Sequence, residues 1–531
     1  MKKLPIGIQS IKKILSNDEY VYVDKTGFVN QLIDEGSPHY FLSRPRRFGK
    51  SLFLNTLEEV FKGNKELFRE CEIYRSDYKW KKHPVIYLDF AQISSNSYED
   101  LSSGLKAELE RMGQLHGISL EGPSIQFQLK VLVESLSKKN RVVFLVDEYD
   151  SAIINTLKDP ETSEKNRGLL KDFFSTLKSL DRYLELTFIT GISKFSHVSL
   201  FSGLNNLNDI TMDPKYAAIM GYTEEEVKRC FSEHVQAIVS EKNGVSEEEV
   251  FKEVQAWYNG YRFSKSKICV YNPFSTLNFM NRKEAAGYWY STGTPSFLID
   301  ELKKHPKSMI SLDGTTARED ELTDITSLEE IDLKALMYQT GYFTIKDYNQ
   351  ISKRYHLGLP NKEVRTAFLN SLVRNFTKNI DIRSSEKFVK ALEKYQLDIL
   401  FDQVKVGFSS FAYQVFAGAK ERTYQAMLLS MLYGMGFEPL SERSTNTGRI
   451  DVVLEMQKST YILELKLDSK SEVALEQIRK KEYFKPYTHK GKEIAIVGAN
   501  FSSEKRNISD WNGDLLSEDG SFIKKLAPDK T

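Results

Sequence analysis

Cysteine is scarce in this chain, which has three in 531 residues: Cys71, Cys230 and Cys269. They lie far apart in the sequence and show none of the close spacings that are typical of metal-ligand or redox pairs. The scarcity argues against a small secreted domain held together by disulfides. It predicts free thiols in a reducing compartment.

Long apolar runs are also missing. The N-terminus, MKKLPIGIQS, carries lysines but no apolar segment behind them. No stretch approaches the roughly 18 apolar residues that a membrane-spanning helix needs. We therefore expect a cytoplasmic protein that has no membrane partner.

The chain has almost no net charge, since 74 Lys and Arg stand against 73 Asp and Glu, which leaves +1. Because no global field attracts nucleic acid or an anionic membrane, any such binding has to come from a local patch. The eight histidines form no pair with metal-ligand spacing. The length is enough for three or four domains of about 150 residues each.

Short apolar runs alternate with helical patterns in the first part of the chain. The runs are HYFLS (39–43), PVIYLDF (84–90), RVVFLVD (141–147) and LELTFITGIS (184–193). Continuous apolar runs separated by helices predict an α/β domain whose parallel sheet is covered by helices on both faces. We expect this domain to occupy residues 1–215.

The pattern changes in the rest of the chain. We expect a mostly helical domain, then a helical connecting region approached through DLKALMYQTGYFTI (332–345), which suggests a hairpin. The last part has the order helix, strand, strand, helix, strand, which predicts a second, smaller α/β module. The predicted boundaries of these three parts are 216–345, 346–415 and 416–531.

The segment SRPRRFGKSL (43–52) ends as a phosphate-binding loop ends but begins differently. Gly49, Lys50 and Ser51 fit the pattern G-x-x-x-x-G-K-[ST], whereas Arg44 stands where the first glycine belongs. A strand before the loop and a helix after it would point free N–H groups at an anion. Lys50 would neutralise the β- and γ-phosphates, and the Ser51 hydroxyl would bind Mg²⁺. Since the Arg44 side chain can hinder close approach, a solvated basic turn is the alternative.

A second motif favours the nucleotide site. The run RVVFLVDEYD ends in Asp147 and Glu148, and a strand-end aspartate can hold Mg²⁺ while the next glutamate polarises the attacking water. A buried strand that ends in acidic residues is common alone, but less common beside a phosphate-loop motif. A third strand ends in ITGISKFS and offers Thr190, Ser193 or Lys194 as contacts to the γ-phosphate, although polar residues at strand ends are ordinary.

These segments together resemble a known family. SRPRRFGKSL, FLVDEYD, FITGISKFS, FSGLNNLNDIT (201–211) and the earlier YVDKTGFVNQLI (22–33) are similar to the AAA-ATPase-like domain of bacterial ATPase–nuclease fusion proteins, over about residues 4–215. In that family the RPRRFGKS form of the loop is characteristic. The resemblance implies ATP as the ligand, with Glu148 in a catalytic role. The residues expected to bind the nucleotide are Arg47, Phe48, Gly49, Lys50, Ser51, Leu52 and Asp147.

Two opposite charges lie inside an apolar strand near the C-terminus. TGRIDVVLEMQKSTYILELKLD places Asp451 on one strand and Glu464 and Lys466 on one face of the next. About ten such acid-x-base pairs are expected by chance in a chain of this composition. Charges inside an apolar strand are costly, however, unless they pair or face a site.

The residue types suit phosphodiester cleavage. Asp451 and Glu464, with the carbonyl of Leu465, offer the hard oxygen ligands that Mg²⁺ or Mn²⁺ prefers. A bound metal would lower the pKa of its water, and Lys466 would orient that water or stabilise the developing charge. Upstream, ERTYQ puts Glu421 and Gln425 one turn apart on a helix.

A basic stretch follows the strand pair. Residues 479–492 contain six Lys or Arg against one Glu, with Tyr483, Phe484 and Tyr487 between them. This composition is typical of a surface that grips phosphates. A solvated helix face remains the alternative.

GRID, ELK and EQIRKKEYF together resemble the PD-(D/E)xK nuclease superfamily over about residues 415–505. Ile450 replaces the usual proline before the aspartate. The resemblance implies catalytic roles for Asp451, Glu464, Lys466, Glu421 and Gln477. The predicted metal ligands are Asp451 and Glu464 in this module, and Ser51 and Asp147 at the nucleotide loop.

The sequence therefore predicts an ATP-binding, ATP-hydrolysing protein with a divalent-metal-dependent nuclease domain under nucleotide control. ATP and Mg²⁺ or Mn²⁺ are the expected cofactors, and DNA is the expected partner. The alternative is a nucleotide-dependent signalling or interaction protein whose nuclease fold binds but does not cut. A homo-oligomer or a partner protein remains open.

Overall fold

The structure is a computed structural model in which the chain divides into two compact units. The first comprises Met1–Thr294 with Asp313–Val364, and the second comprises Pro295–Leu312 with Arg365–Thr531. The predicted division into four domains stays a prediction. The residues that the structure describes are 1–157, 159–194, 200–201, 203–242, 244–289, 315–323, 332–368, 385–410, 420–435, 437, 439–444 and 448–528.

The four apolar runs near the N-terminus form strands of one parallel sheet. The strands are β1 His39–Ser43, β2 Val85–Asp89, β3 Val142–Asp147, β4 Leu184–Gly191 and β5 Asn208–Asp209. Their order in the sheet is β2-β3-β4-β1-β5, and every pairing is parallel. Strands β1 and β3 are buried along their whole length, as expected under helices on both faces. The predicted α/β fold of this domain is confirmed.

Helices flank these strands. They are α1 Ile11–Leu15, α2 Thr26–Glu35, α3 Lys50–Phe61, α4 Tyr98–Leu115, α5 Ile125–Ser137, α6 Ser151–Ile154 and α7 Pro160–Ser179. The Ser97, Ser124 and Asp159 side chains cap α4, α5 and α7 by accepting from backbone N–H groups. Among the described residues, no side chain caps α3 at Gly49. The first N–H groups of α3 are therefore able to bind an anion.

The middle of the chain is mostly helical, as predicted. Its helices are α8 Glu224–Cys230, α9 Ser232–Glu241, α10 Glu247–Tyr258, α11 Pro273–Arg282, α12 Glu319–Thr323 and α13 Leu333–Gln339. It also has an antiparallel sheet in the order β6-β8-β7, with β6 Thr315–Ala317, β7 Thr344–Asn349 and β8 Arg354–Gly358. The predicted hairpin is β7–β8, which begins at the end of the segment 332–345 that suggested it. Strand β6 was not predicted, since three residues are too few for a periodic signal.

The second unit has a mixed sheet in the order β14-β13-β12-β11-β10-β9. Its strands are β9 Leu440–Ser444, β10 Arg449–Glu455, β11 Ser459–Leu467, β12 Glu493–Ser502, β13 Asn507–Leu516 and β14 Phe522–Leu526. Its helices are α14 Ser385–Glu393, α15 Leu397–Ser410, α16 Glu421–Gly434 and α17 Ser471–Lys481. Strands β11 and β12 are parallel and joined through α17, and the other pairs are antiparallel. The predicted series is α16, β10, β11, α17, β12, which is confirmed, whereas β9, β13 and β14 were not predicted.

Two further sequence predictions concern the cysteines and the helices. Cys71, Cys230 and Cys269 are free thiols, in line with the sequence. Burial raises the pKa of Cys71 to about 12, which leaves that thiol unreactive at neutral pH. Within the described ranges, no helix is long and apolar enough to cross a membrane.

Candidate nucleotide site and candidate nuclease centre

The motifs of the first unit meet at the carboxyl edge of the parallel sheet. Strand β1 runs into the loop 44–49, β3 ends at Asp147, and β4 carries Thr190 near its end. Because parallel strands end at the same edge, these residues lie together. Thr190 Oγ1 donates to Asp147 Oδ1 at 2.8 Å, and the Tyr87 hydroxyl lies 3.4 Å from Asp147 Oδ2. The carboxylate of Asp147 is thereby fixed at the head of the loop.

The loop has the backbone shape of a phosphate-binding loop. Arg47 and Gly49 have positive φ angles of 66° and 93°. Residues that alternate in this way turn successive N–H groups to one side and form an anion-binding concavity. For Arg47, which has a Cβ, the left-handed conformation costs about 1–2 kcal/mol. The Arg47 guanidinium lies 4.7 Å from the ring centre of Phe274, a contact that offsets part of this cost.

The side chain at the first loop position points away from the loop. Arg44 is 1% exposed and lies 4.3 Å from the ring centre of Phe263. Its guanidinium donates to the backbone carbonyls of Ser43, Thr211 and Tyr216 at 2.9, 2.8 and 3.3 Å. Arg44 therefore does not hinder approach to the loop, because its side chain is buried elsewhere.

Lys50 is buried and its ammonium contacts the loop itself. Nζ donates to the carbonyls of Arg44 and Pro45 at 3.0 and 3.2 Å. Burial lowers the pKa of Lys50, and the carboxylates of Asp147 and Glu148 oppose that shift. Burial raises the pKa of Glu148, with Lys50 opposing, which suits a group that accepts a proton from water.

A cavity of about 400 Å³ opens beside this loop. Its size is in the range of small-molecule pockets. Its polar lining includes Gln9, Arg46, Arg47, Lys50, Ser51 and Glu148, and its apolar lining includes Ile8, Phe274 and Leu277. This mixture of cations, one hydroxyl and apolar surface suits a ligand that has both a polyphosphate and a flat base.

In the second unit, strand register brings the predicted carboxylates together. Val452 of β10 pairs with Leu463 of β11, so one further step places Asp451 beside Glu464. The N–H of Leu465 donates to Asp451 Oδ2 at 2.9 Å. Lys466 Nζ donates to Glu464 Oε1 at 3.4 Å and to the Leu465 carbonyl at 3.1 Å. Asp451, Glu464 and Lys466 thus surround one point at the ends of two strands.

Glu464 is the electrostatic anomaly of this centre. Its side chain is 3% exposed, and its Oε2 is buried without a hydrogen-bond partner among the described residues. Burial and then the charge of Asp451 raise the pKa of Glu464 to about 8, while Lys466 opposes them. An unsatisfied buried carboxylate is destabilising, and a cation between the two carboxylates would remove that cost.

The donor set fits a hard divalent cation. In the described part of the chain, no three His, Cys, Asp or Glu side chains are gathered closely enough to hold a metal. A metal here would therefore rest on the carboxylates of Asp451 and Glu464 and on a backbone carbonyl such as that of Leu465. Oxygen ligands of this kind suit Mg²⁺ or Mn²⁺ rather than softer metals.

Comparison with known proteins gives both units a family. A family model described as "Predicted AAA-ATPase" matches residues 5–201, and a model of the PD-(D/E)XK nuclease superfamily matches residues 419–511. A protein of Azotobacter chroococcum mcd 1, named "Uncharacterized protein in vnfD 5'region", is 35% identical over 520 residues, which are 96% of this chain and 98% of that protein. The chain belongs to this family of ATPase-like and nuclease fusions. The resemblance stated from the sequence motifs is confirmed.

In the ATPase-like domain, most of the predicted nucleotide residues line the cavity. These are Arg47, Gly49, Lys50, Ser51 and Leu52, and Glu148, predicted as catalytic, lines the cavity as well. Asp147 is not part of the described lining. Phe48 is different, because its ring is buried against Tyr261 at 4.8 Å and Phe263 at 5.5 Å between centres. Only the backbone of Phe48 is therefore available to a ligand. The binding role of each residue stays a prediction.

The three residues suggested as γ-phosphate contacts have separate partners. Thr190 bonds to Asp147, as described above. The Ser193 hydroxyl donates to Asp150 Oδ2 at 2.6 Å, and Lys194 forms an ion pair with Asp209. Neither Ser193 nor Lys194 belongs to the described lining of the cavity. Of the three, Thr190 is the one that the structure brings to Asp147.

In the nuclease domain, two helices support the carboxylates. Gln477 Nε2 of α17 donates to Glu464 Oε1, and Glu421 Oε2 of α16 accepts from the Leu467 N–H at 3.2 Å. Both residues were predicted as members of the site. Sequence reasoning gave no role to Gln425, whose Nε2 donates to the Asp451 carbonyl at 2.9 Å and lies 3.5 Å from Asp451 Oδ1. Its position four residues after Glu421 was the available signal.

The basic stretch of α17 is more structural than its composition indicates. The Arg479 guanidinium donates to Asp514 Oδ2 at 2.6 and 2.9 Å and to Glu472 at 3.2 Å. Tyr483 and Tyr487 are buried, so their rings offer little surface to a ligand, although Lys490 lies 4.8 Å from the ring centre of Tyr487. The phosphate-binding role of the stretch stays a prediction. The exposed cations of the stretch are Lys480, Lys481, Lys485 and Lys490.

Proposed function

We propose that this protein is a divalent-metal-dependent nuclease that cuts DNA phosphodiester bonds under the control of ATP bound at the loop. The observation that carries the proposal is the buried Glu464 carboxyl group beside the partly buried Asp451 and Lys466. A buried carboxylate with an unsatisfied oxygen is destabilising. An apolar side chain of similar volume would fill the same space without that cost. An unsatisfied oxygen beside a second carboxylate supports binding of a cation, and so metal-dependent chemistry over passive binding.

The residues of the nuclease centre have separable roles. Asp451 and Glu464 would hold Mg²⁺ or Mn²⁺, which when bound lowers the pKa of water and stabilises charge on the scissile phosphate. Lys466 would orient the attacking water or stabilise the charge that develops on the phosphate. Gln477 and Gln425 hold the two carboxylates in place through hydrogen bonds, as groups behind a metal site commonly do.

At the loop, the chain would bind and hydrolyse ATP. The N–H groups of the loop and the Lys50 ammonium would take the phosphates, while Ser51 and Asp147 would hold Mg²⁺. Glu148, whose pKa is raised by burial, would orient water and accept its proton. Phosphate release from ATP measures this activity separately from DNA cleavage.

The experiment that tests the proposal is a cleavage assay with the full chain. Labelled linear DNA, circular DNA and RNA are incubated with Mg²⁺ or Mn²⁺, with and without ATP. The variants are Asp451→Asn, Lys50→Ala and Glu455→Gln, the last being an exposed carboxylate on β10 outside the centre. We expect Asp451→Asn to abolish cleavage, Lys50→Ala to change only its ATP dependence, and Glu455→Gln to behave as the wild type.

Two results would contradict the proposal. Cleavage that survives in Asp451→Asn would place the activity elsewhere. No cleavage of any substrate, in a protein that still binds ATP, would favour a nucleotide-dependent interaction protein whose nuclease fold binds without cutting.

A further inference from the structure

Three successive carbonyls of the phosphate loop are each held by a hydrogen bond. Lys50 Nζ holds the carbonyls of Arg44 and Pro45, at 3.0 and 3.2 Å. The next carbonyl, that of Arg46, accepts from the indole Nε1–H of Trp289 at 3.1 Å. A phosphate that draws Lys50 away would release the first two carbonyls and leave the third bound to Trp289.

Trp289 is packed firmly around this contact. Its ring lies 5.2 Å from that of Tyr342, between ring centres. Gly341, with φ of 88°, lies so close to the loop that a Cβ there would come within 2.8 Å of the Pro45 ring. Any displacement of the loop at Arg46 therefore meets close-packed groups, which move with it instead of absorbing it.

The backbone of Trp289 is held in turn by a buried carboxylate. Glu363 is fully buried, and its Oε1 accepts from the Trp289 N–H at 2.7 Å and from the Ser275 hydroxyl of α11 at 3.1 Å. Its Oε2 has no partner among the described residues. Glu363 thus joins α11, the turn at Trp289 and the helical residues 362–368 at one point.

Glu363 stands where the chain passes from the first unit into the second, which we call the nuclease unit. The first unit ends at Val364, and the second continues from Arg365. Glu363 directly precedes Val364, within the helical residues 362–368 that run across this connection. The hydrogen bond from the Trp289 N–H to Glu363 therefore reaches a covalent connection to the nuclease unit.

We propose that Trp289 and Glu363 are positioning residues that transmit the occupancy of the phosphate loop to the nuclease unit. This inference rests on the proposed function, in which ATP controls cleavage. When the phosphates take the ammonium of Lys50, the loop shifts at Arg46, and the Trp289 indole follows its acceptor. The hydrogen bond to Glu363 then carries the shift to the connection at Val364 and Arg365. Coupling of this kind is a difference in free energy between sites, and it is measurable as such.

The test uses Trp289→Phe in the full chain, because phenylalanine keeps an aromatic ring but removes the indole N–H. The matched control is Trp257→Phe, the same change at a partly buried tryptophan of α10 whose ring packs beside Tyr258. Three quantities are measured: ATP affinity, the ratio of DNA cleavage rates with and without ATP, and hydrogen exchange in residues 385–410 and 448–528 with and without ATP.

We expect Trp289→Phe to bind ATP within about tenfold of the wild type, which is the most that one hydrogen bond is worth. Its cleavage without ATP should be retained, while the ratio with and without ATP falls to about one. The change that ATP causes in the exchange of the nuclease unit should be lost as well. Trp257→Phe should keep both responses.

The outcomes separate this inference from the proposed function. A wild type that responds to ATP, with Trp289→Phe responding equally, overturns the inference and leaves the proposed function standing. If the wild type cuts nothing, the proposed nuclease function fails, and hydrogen exchange decides the inference. An ATP effect on the nuclease unit that disappears in Trp289→Phe supports it, and no ATP effect on that unit overturns it.

Discussion

The two candidate sites both combine a lysine with one buried and one partly buried acidic residue, but they differ in whether the buried carboxylate has all its hydrogen bonds. At the nucleotide loop, Asp147 accepts from Thr190 and Tyr87, and Lys50 donates to loop carbonyls. At the nuclease centre, Glu464 has a buried oxygen with no partner in the described residues. The loop therefore holds its shape by its own hydrogen bonds and offers N–H donors to an anion. The nuclease centre, by contrast, keeps a buried carboxylate oxygen that none of its described side chains satisfies.

Arg44→Gly tests whether the loop is held by the protein itself. The change restores the usual glycine of the loop, yet it removes a buried guanidinium that satisfies three carbonyls and contacts Phe263. We expect a loss of about 4 kcal/mol in the free energy of unfolding, from the unpaired carbonyls and the space left behind. Urea unfolding measures it, with the exposed Arg182→Gly as control. A variant as stable as the wild type, with tighter ATP binding, would contradict this account of Arg44.

Glu464→Gln tests whether the nuclease centre needs a cation. Glutamine keeps the shape and the acceptor for Gln477 but cannot ionise, whereas burial and Asp451 raise the pKa of Glu464 to about 8. The stability that protonated Glu464 contributes is complete below its unfolded pKa and is lost as the pH rises through about 8. Without metal at pH 8 we therefore expect the variant to be more stable than the wild type by about 3 kcal/mol, less than the full shift because Lys466 loses its partner. The stabilisation that Mn²⁺ gives the wild type should be absent. Thermal unfolding with and without Mn²⁺ measures both, and a metal-free variant less stable than the wild type would refute the strain argument.

The fold was predictable from sequence where burial was uniform. Strands β1 and β3 are buried throughout, so their apolar runs are continuous and give a clear signal. Strand β13 was missed because Asp510, Asn512 and Asp514 interrupt its sequence. Each of these three side chains bonds to α17: Asp510 to the Ser471 N–H, Asn512 to Glu472 and Asp514 to Arg479. Polar residues that make tertiary contacts give such a strand the sequence pattern of a loop.

The site residues also divide into those that the sequence predicts and those that it does not. Asp451, Glu464 and Lys466 were predictable because charges inside an apolar strand need a reason. The burial of Arg44 was not, since its acceptor Thr211 lies 167 residues away in the chain. The contact of Gln425 with Asp451 spans 26 residues and depends on how α16 lies against the sheet. Local sequence patterns do not reveal contacts between residues that are so far apart in the chain.

Glu363→Gln sharpens the comparison, because Glu363 is a buried carboxylate beside the loop that no cation is expected to meet. Burial raises its pKa to about 7, against hydrogen bonds from Trp289, Ser275 and Tyr288. The groups that face it are the phenols of Tyr258, Tyr261 and Tyr288, the Ser275 hydroxyl and the Trp289 N–H. A carboxyl group whose pKa rises on folding destabilises the protein as it ionises.

The sign of the effect follows from that shift. The stability contributed by the protonated group is complete below the unfolded pKa and is lost as the pH rises through about 7. At pH 8 we expect the free energy of unfolding of Glu363→Gln to be about 2 kcal/mol higher than that of the wild type, and at pH 5 only slightly higher. The gain at pH 8 is smaller than the full pKa shift would give, because the new amide is itself unpaired. Urea unfolding at both pH values measures this difference. A gain that is equal at pH 5 and pH 8 would show that Glu363 is not the titrating group.

Gln425→Ala is the change with the smallest expected effect, and it tests the hydrogen bonds of one side chain at the nuclease centre. Gln425 holds the backbone and one oxygen of Asp451, so its loss frees the carboxylate to rotate without removing a metal ligand. Groups behind a metal site change affinity by about 10- to 100-fold, and we expect the lower figure for Mn²⁺, since Leu465 N–H still holds Asp451 Oδ2. Titration calorimetry compares it with Gln403→Ala on α15. Equal Mn²⁺ affinity in both variants would mean that strand register alone positions Asp451, and that the nuclease centre, like the loop, is held by backbone hydrogen bonds.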